Sequence, residues 1–140
     1  MKQLFIDASA WLALESSRDQ YHDIALTFAQ KEARQFQWVT TNWILSETVT
    51  LLRRRANHAV AIRFMERLRA SKKLRIVRIE TPHEELAWVI FKRYNDKDFG
   101  FVDCTSFAVM EILGINHAFT FDHHFRQFGY DTLPNIYSPR

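Results

Sequence analysis

Short apolar runs take turns with longer amphipathic ones along this chain. Gln3-Leu4-Phe5-Ile6 ends at Asp7, the pattern of a strand buried in a parallel sheet rather than an alternating surface strand. Ala8–Glu15 and Asp19–Ala33 follow with helical spacing, the second placing Tyr21, Ile24, Ala25, Phe28 and Ala29 on one face. Gln37–Thr40 predicts a second strand leading into a helix over Thr41–Arg55, and Asn57 is placed to cap a further helix reaching Ala70. Leu74–Ile79, rich in β-branched residues, is the third strand. Thr81-Pro82 reads as an N-cap followed by proline at the first helical position, so a helix runs to Tyr94. After the polar loop Asn95–Gly100, Asp103–Leu113 is helical and stops at Gly114. His117–Phe121 is the fourth strand and ends at Asp122; a helical turn to Gly129 and a brief strand over Asp131–Leu133 follow.

Strands alternating with helices predict an α/β fold: a central, mainly parallel sheet of four to five strands flanked by helices in three layers. With no linker, repeat or low-complexity segment, residues 1–140 form one domain. Ligands in such folds bind outside the carboxyl ends of the strands, where Asp7 and Asp122 fall.

Composition then removes whole classes of function. The chain is 47 % apolar and 14 % aromatic, enough for a real core, and Trp11, Trp38, Trp43 and Trp88 fall on apolar faces that assign them to it. Gly100, Gly114 and Gly129 are the only glycines, too few and too scattered for a Gly-rich phosphate loop or a dinucleotide-binding turn. Cys104 stands alone, which excludes an internal disulfide and multi-cysteine metal sites and fits the reducing cytoplasm; next to Asp103 it reads as a packed small side chain rather than a nucleophile. The longest apolar run, Leu86–Phe91, is far shorter than the roughly 20 residues of a membrane span. With Lys2 and Asp7 in the opening strand, no signal peptide is expected.

The formal charge of +3 conceals an uneven distribution. Residues 53–78 hold ten basic side chains against Glu66 alone, a net +9, whereas residues 1–52 and 79–140 carry −2 and −4. Such a basic segment, which opens with Arg53, Arg54 and Arg55, attracts a polyanion such as a nucleic acid, or an acidic partner protein.

Four carboxylates lack the partners that would make them ordinary. Asp7 and Asp122 each follow an apolar strand directly, where capping of the next helix is the alternative use. Glu47 lies mid-helix with Trp43 and Ile44 one turn before and Leu51 one turn after, and no Lys or Arg is spaced to pair with it. Asp103 sits between Phe99 and Phe107, and Ser106 stands where a capping box would place Glu or Gln. Several carboxylates in one crevice repel one another unless divalent cations lie between them, and hard oxygen donors point to Mg²⁺ or Mn²⁺. Beside a basic surface, that combination suits metal-assisted hydrolysis of phosphodiesters.

The segments Ile6-Asp7-Ala8-Ser9-Ala10, Thr40-Thr41-Asn42-Trp43-Ile44-Leu45-Ser46-Glu47, Phe101-Val102-Asp103-Cys104-Thr105-Ser106 and Thr120-Phe121-Asp122-His123-His124-Phe125 resemble, in order and spacing, the four signature segments of PIN-domain ribonucleases. Within that family the chain is most similar to the VapC-type toxins of prokaryotic toxin–antitoxin pairs. The resemblance implies a parallel sheet flanked by helices, with Asp7, Glu47, Asp103 and Asp122 as a metal-binding acidic quartet, Ser9 and Thr120 as hydroxyls beside it and Asp98 as a supporting acid. It also implies Mg²⁺- or Mn²⁺-dependent endonucleolytic cleavage of RNA by activated water, leaving 5′-phosphate and 3′-hydroxyl ends. A homodimer held inactive by a VapB-like antitoxin belongs to the same expectation.

Other constellations carry less. His123 and His124 adjoin Asp122, but neighbours on a short turn point different ways, so at most one faces the acids. His83-Glu84-Glu85 lacks the second histidine of a zinc-protease helix. An aspartyl-nucleophile phosphohydrolase would want a second Asp where Ser9 stands, and a receiver-like module would want paired acids after the first strand and a lysine near the last. A PIN-type RNA-processing nuclease without a toxin role and a non-catalytic RNA-binding module with a structural metal are the remaining alternatives.

Overall fold

The computed structural model describes residues 1–137. Strands β1 (Gln3–Ile6), β2 (Gln37–Thr41), β3 (Arg75–Val77), β4 (His117–Phe119) and β5 (Asp131–Leu133) form one parallel sheet in the order β3-β2-β1-β4-β5. Helices α1 (Ala8–Glu15), α2 (His22–Gln30), α3 (Asn42–Arg55), α4 (His58–Ala70), α5 (Thr81–Arg93), α6 (Phe101–Leu113) and α7 (His123–Phe128) connect them, with a 3₁₀ turn at Glu32–Gln35. The chain moves outward from β1 through β2 to β3, then crosses back to lay β4 and β5 on the other side of β1. Right-handed crossovers in opposite directions put α1 to α4 on one face and α5 to α7 on the other. The reversal falls between β1 and β4, and a crevice opens at their carboxyl ends.

Burial follows the pattern that the opening strand announced. Leu4, Phe5 and Ile6 are fully enclosed, with Phe5 facing Phe125 of α7 on one side of the sheet. On the other side Trp11 of α1 packs against Trp38 and Phe64, while Phe28 meets Phe119 edge-on. Phe107 of α6 is fully buried among Phe99, Phe125, Phe128 and Tyr130, with ring centroids 4.4–6.1 Å away.

The structure moves several boundaries. The second helix starts at His22 rather than Asp19, because Asp19 Oδ1 accepts the backbone N–H of Tyr21 at 2.8 Å and holds a turn there. It also stops at Gln30, short of Ala33. The fifth is capped by Glu80, not Thr81, since Glu80 N–H donates to His83 Nδ1. The sixth begins at Phe101 rather than Asp103: the Asp103 carboxylate accepts from Gly100 N–H at 3.1 Å and so supports the helix from its third residue. Strand β4 ends at Phe119 instead of Phe121, where Thr120 turns its hydroxyl toward Asp7. Strand β3 contracts to Arg75–Val77.

Trp88 departs from its assignment to the core. It is 50 % exposed and stacks on Phe91, itself exposed, because α5 meets α6 through buried Ala87 and Ile90. Trp11 alone of the four tryptophans is buried; Trp38 and Trp43 are half-buried. No helix among the described residues is long and apolar enough to cross a membrane.

Phe107→Ala removes a ring from the centre of this aromatic cluster. Denaturant unfolding is expected to show a loss of about 3–5 kcal/mol, the range for emptying a buried aromatic site.

Candidate active site

Asp7 follows β1 and serves as N-cap of α1 only through its backbone: its carbonyl accepts from Ala10 and Trp11, and its carboxylate makes no cap bond. The side chain turns instead into the crevice beside β4. There Oδ2 accepts from Ser9 Oγ at 2.8 Å and from Thr120 Oγ1 at 2.9 Å, the two hydroxyls lying 3.1 Å apart. Each hydroxyl also receives a backbone N–H, Ser9 from Phe121 and Thr120 from Asp122. The loop after β4 is thus fastened to the end of β1 by side chains, where the sheet ladder has stopped.

The other acids arrive from three more elements. Asp103 comes from the first turn of α6, Glu47 from the middle of α3, and Asp122 from the cap of α7, where Oδ1 accepts His124 N–H at 3.0 Å. All four acids predicted from sequence line one open cleft of about 300 Å³, with Ser9, Asp19, Tyr21, Leu51, Arg55 and Phe121 among its other walls. His124 Nδ1 lies 2.9 Å from Asp103 Oδ2 and 3.3 Å from Asp122 Oδ1, and its ring edge rests on Phe99. His123 points outward, its side chain 62 % exposed. One histidine of the pair therefore joins the acids.

The electrostatics are those of negative charge without adequate compensation. Burial, opposed by the Ser9 and Thr120 bonds and reinforced by the charges of Asp103 and Asp122, raises the Asp7 carboxyl to about 6. Asp103 is raised first by burial and then by Asp122, against the Gly100 N–H and His124, which lower it. Partial desolvation raises Glu47 at the rim, and Asp103 and Asp122 push it in the same direction. Among the described residues no Lys or Arg forms an ion pair with any of the four. Carboxylates held apart around a cleft, three of them with raised affinity for protons, are a donor set that suits a divalent cation. Asp122, His123 and His124 each offer a metal-competent atom, and these atoms lie within 4.8 Å of one another.

Some sequence expectations do not converge here. Asp98 is exposed and outside the lining of the cleft; its neighbour Phe99 turns inward onto Phe107, which directs Asp98 to solvent. Of the three arginines closing α3, Arg55 alone lines the cleft, because it lies two helical turns beyond Glu47 on the Leu51 side. The basic segment is also divided. Arg75 opens β3 and donates to Gln3 at the start of β1, the sheet edge opposite the acids, while Arg67 pairs with Glu15. Cys104 is fully buried, and burial pushes its thiol up to about 11, so it stays neutral.

One feature of the site was not read from sequence. Tyr21, assigned to an apolar helix face, lies parallel on Phe121 at 4.5 Å and lines the cleft. Asp19 two residues before it is the signal, an acid placed to arrest the helix and fix the turn. For the pair His123 and His124, of which at most one was expected to face the acids, the structure selects His124, two residues after Asp122.

Comparison with known proteins settles the family. The model of the PIN domain matches residues 4–129. The chain belongs to the PIN-domain family. Two curated relatives, the 23S rRNA-specific endonuclease VapC20 of Mycobacterium tuberculosis strains CDC 1551 / Oshkosh and ATCC 25618 / H37Rv, are each 35 % identical over 127 residues, 91 % of this chain and 95 % of theirs. The crystal structure of M. tuberculosis VapC20, described as a sarcin–ricin loop cleaving toxin, superposes with a TM-score of 0.86 at 35 % identity, covering 91 % of this chain and 96 % of that one. The strand order β3-β2-β1-β4-β5 and the crevice at its reversal are thus those of a PIN fold.

The raised Asp7 carboxyl has a consequence for stability. Its folded value near 6 lies above the ordinary 3.8, so the native state holds the proton more tightly and stability falls as pH rises through that interval. Asp7→Asn removes the buried charge and is expected to stabilise the metal-free fold by ~3 kcal/mol at pH 8. The gain should vanish near pH 4, as followed by urea denaturation with a chelator present. Equal stability of both proteins at pH 8 would contradict the burial argument.

Proposed function

We propose that this chain is a metal-dependent endoribonuclease, the toxin of a VapBC-like pair. The observation that carries the reading is the buried Asp7 carboxylate, without a cationic partner, facing three further acids in a PIN-family cleft at the sheet's switch point. Asp7, Glu47, Asp103 and Asp122 would hold Mg²⁺ or Mn²⁺, which when bound supplies an activated water and neutralises charge on the scissile phosphate and the leaving oxygen. The protein's own share is positional. Ser9 and Thr120 lock Asp7 in one rotamer, and His124 spans Asp103 and Asp122 and so keeps their separation. Arg55, on the wall of the same cleft, draws the phosphate backbone toward the acids. Arg53 and Arg54 add to the attraction from the exposed end of α3.

The substrate we infer is ribosomal RNA, on the likeness to an endonuclease named for 23S rRNA. A VapB-like antitoxin is the partner that would restrain it in the cytoplasm. A homodimer also belongs to the reading, supported by the exposed aromatic face of Trp88, Val89 and Phe91 on α5, a surface whose exposure a lone chain has no use for.

Purified protein with Mn²⁺ or Mg²⁺ is expected to cut a sarcin–ricin loop hairpin, and EDTA to stop it. Asp7→Asn and Asp103→Asn should each lower cleavage by a factor of 100 or more, on the order of the ~3 kcal/mol lost with one essential electrostatic contact. Full activity of the Asp7→Asn protein would overturn the assignment. Sedimentation analysis checks the dimer: Trp88→Ala together with Phe91→Ala should shift the protein toward monomer.

A further inference from the structure

Beside the carboxylate cleft lies a second, shallower depression of about 530 Å³, lined by Trp43, Ser46, Glu47, Thr50, Leu51 and Val102. Glu47 and Leu51 belong to both, so the two hollows share a wall along α3. The lining holds no basic side chain, and a phosphate would gain nothing by entering it. It offers instead a half-buried indole, two hydroxyls and an apolar floor. Thr50 spends its proton on the Ser46 carbonyl at 3.0 Å, which leaves its oxygen free to accept.

Trp43 is the unusual member. The indole N–H groups of Trp11 and Trp38 donate to Thr40 Oγ1 and to the Ala33 carbonyl, whereas those of Trp43 and of the more exposed Trp88 have no partner among the described residues; of these two, Trp43 is the one beside the cleft. Its ring is tilted against Phe101 with centroids 5.9 Å apart, which braces it on one side without enclosing it. On α3 it stands one turn before Glu47, about 6 Å along the axis at 1.5 Å per residue. That is the scale of the step from a phosphate to the base of the adjoining nucleotide.

We propose that Trp43 is a base-stacking residue, receiving in this depression a nucleobase that flanks the phosphate held at the carboxylate cleft. The inference rests on the ribonuclease reading above and adds to it a residue that recognises the RNA strand. A flat, uncharged base with hydrogen-bonding edges matches an indole face beside hydroxyls, and stacking of this kind tolerates any base. Arg55 holds the backbone at the cleft while Trp43 holds a base one side of it, so the strand is gripped at two points along a single helix.

The test is steady-state cleavage, with Mn²⁺, of a sarcin–ricin loop hairpin and of versions carrying an abasic residue at each loop position in turn. Trp43→Leu keeps apolar contact with Phe101 but loses the flat face, and Trp43→Phe keeps a flat face; Trp43→Met replaces the leucine variant should that fold poorly. The leucine variant is expected to raise KM about 5- to 100-fold with kcat within about two-fold, and the phenylalanine variant to retain most of the wild-type KM. At one abasic position the wild type should lose as much as the leucine variant loses on intact RNA, and the leucine variant should lose nothing further. Unchanged KM in Trp43→Leu, or losses that multiply at every abasic position, overturn the proposal while leaving the nuclease reading intact. A leucine variant that sediments as monomer and regains activity at high protein concentration also overturns it, by assigning Trp43 to contact with a second copy. Absence of any cleavage by the wild type overturns the nuclease reading and this inference with it.

Discussion

The contact on which the site depends is the one between Asp7 and two hydroxyls, Ser9 and Thr120, across the ends of β1 and β4. A parallel sheet that reverses its winding at the central strand has a gap there, because the connections on its two sides leave in opposite directions. The carboxylate closes that gap with side-chain bonds once the backbone ladder has ended. Because Ser9 and Thr120 also receive the N–H groups of Phe121 and Asp122, the same network sets the path of the chain into α7. Asp122 and His124 are therefore positioned by Asp7, though 115 or more residues separate them in sequence.

That arrangement works against stability by itself. Burying Asp7 near Asp103 and Asp122 favours its protonated form, and the hydroxyl bonds offset only part of the loss of hydration. The fold tolerates the strain because the surrounding layers are well packed: Leu4, Phe5 and Ile6 lie behind Asp7, and the cluster around Phe107 lies behind Asp103. Chemistry and core thus share helix α6, whose first turn faces the cleft and whose second is wholly buried. An acid-lined cleft backed by aromatic packing is a rigid platform for a cation, and rigidity is what a positioning site requires.

Much of this was legible in the chain. Period and punctuation located the five strands and seven helices of the described residues, since buried apolar runs and amphipathic turns leave different spacings. The ends were less legible, because three of the moved boundaries were set by one side chain bonding a nearby backbone group, Asp19 to Tyr21, Asp103 to Gly100 and His83 to Glu80, and the end of β4 by Thr120 reaching across to Asp7. Such bonds depend on rotamers that residue type alone leaves open. Trp88 was misplaced for a related reason: an apolar residue on a helix says that some surface is covered, and does not say whether by the same chain.

Residue order alone singled out the acids and their places along the elements: Asp7 and Asp122 after apolar strands, Glu47 and Asp103 among apolar helix neighbours without cations in reach. It did so because a carboxylate in such surroundings has few stable uses. Only the tertiary structure decided which other groups join them. Long-range packing turned Arg55 and His124 toward the cleft, sent Asp98, Arg75 and His123 away, and brought Tyr21 to its wall and Trp43 to the depression beside it. The direction of an exposed side chain is set by the elements packed against its own, and that information is carried by contacts between residues far apart in the chain.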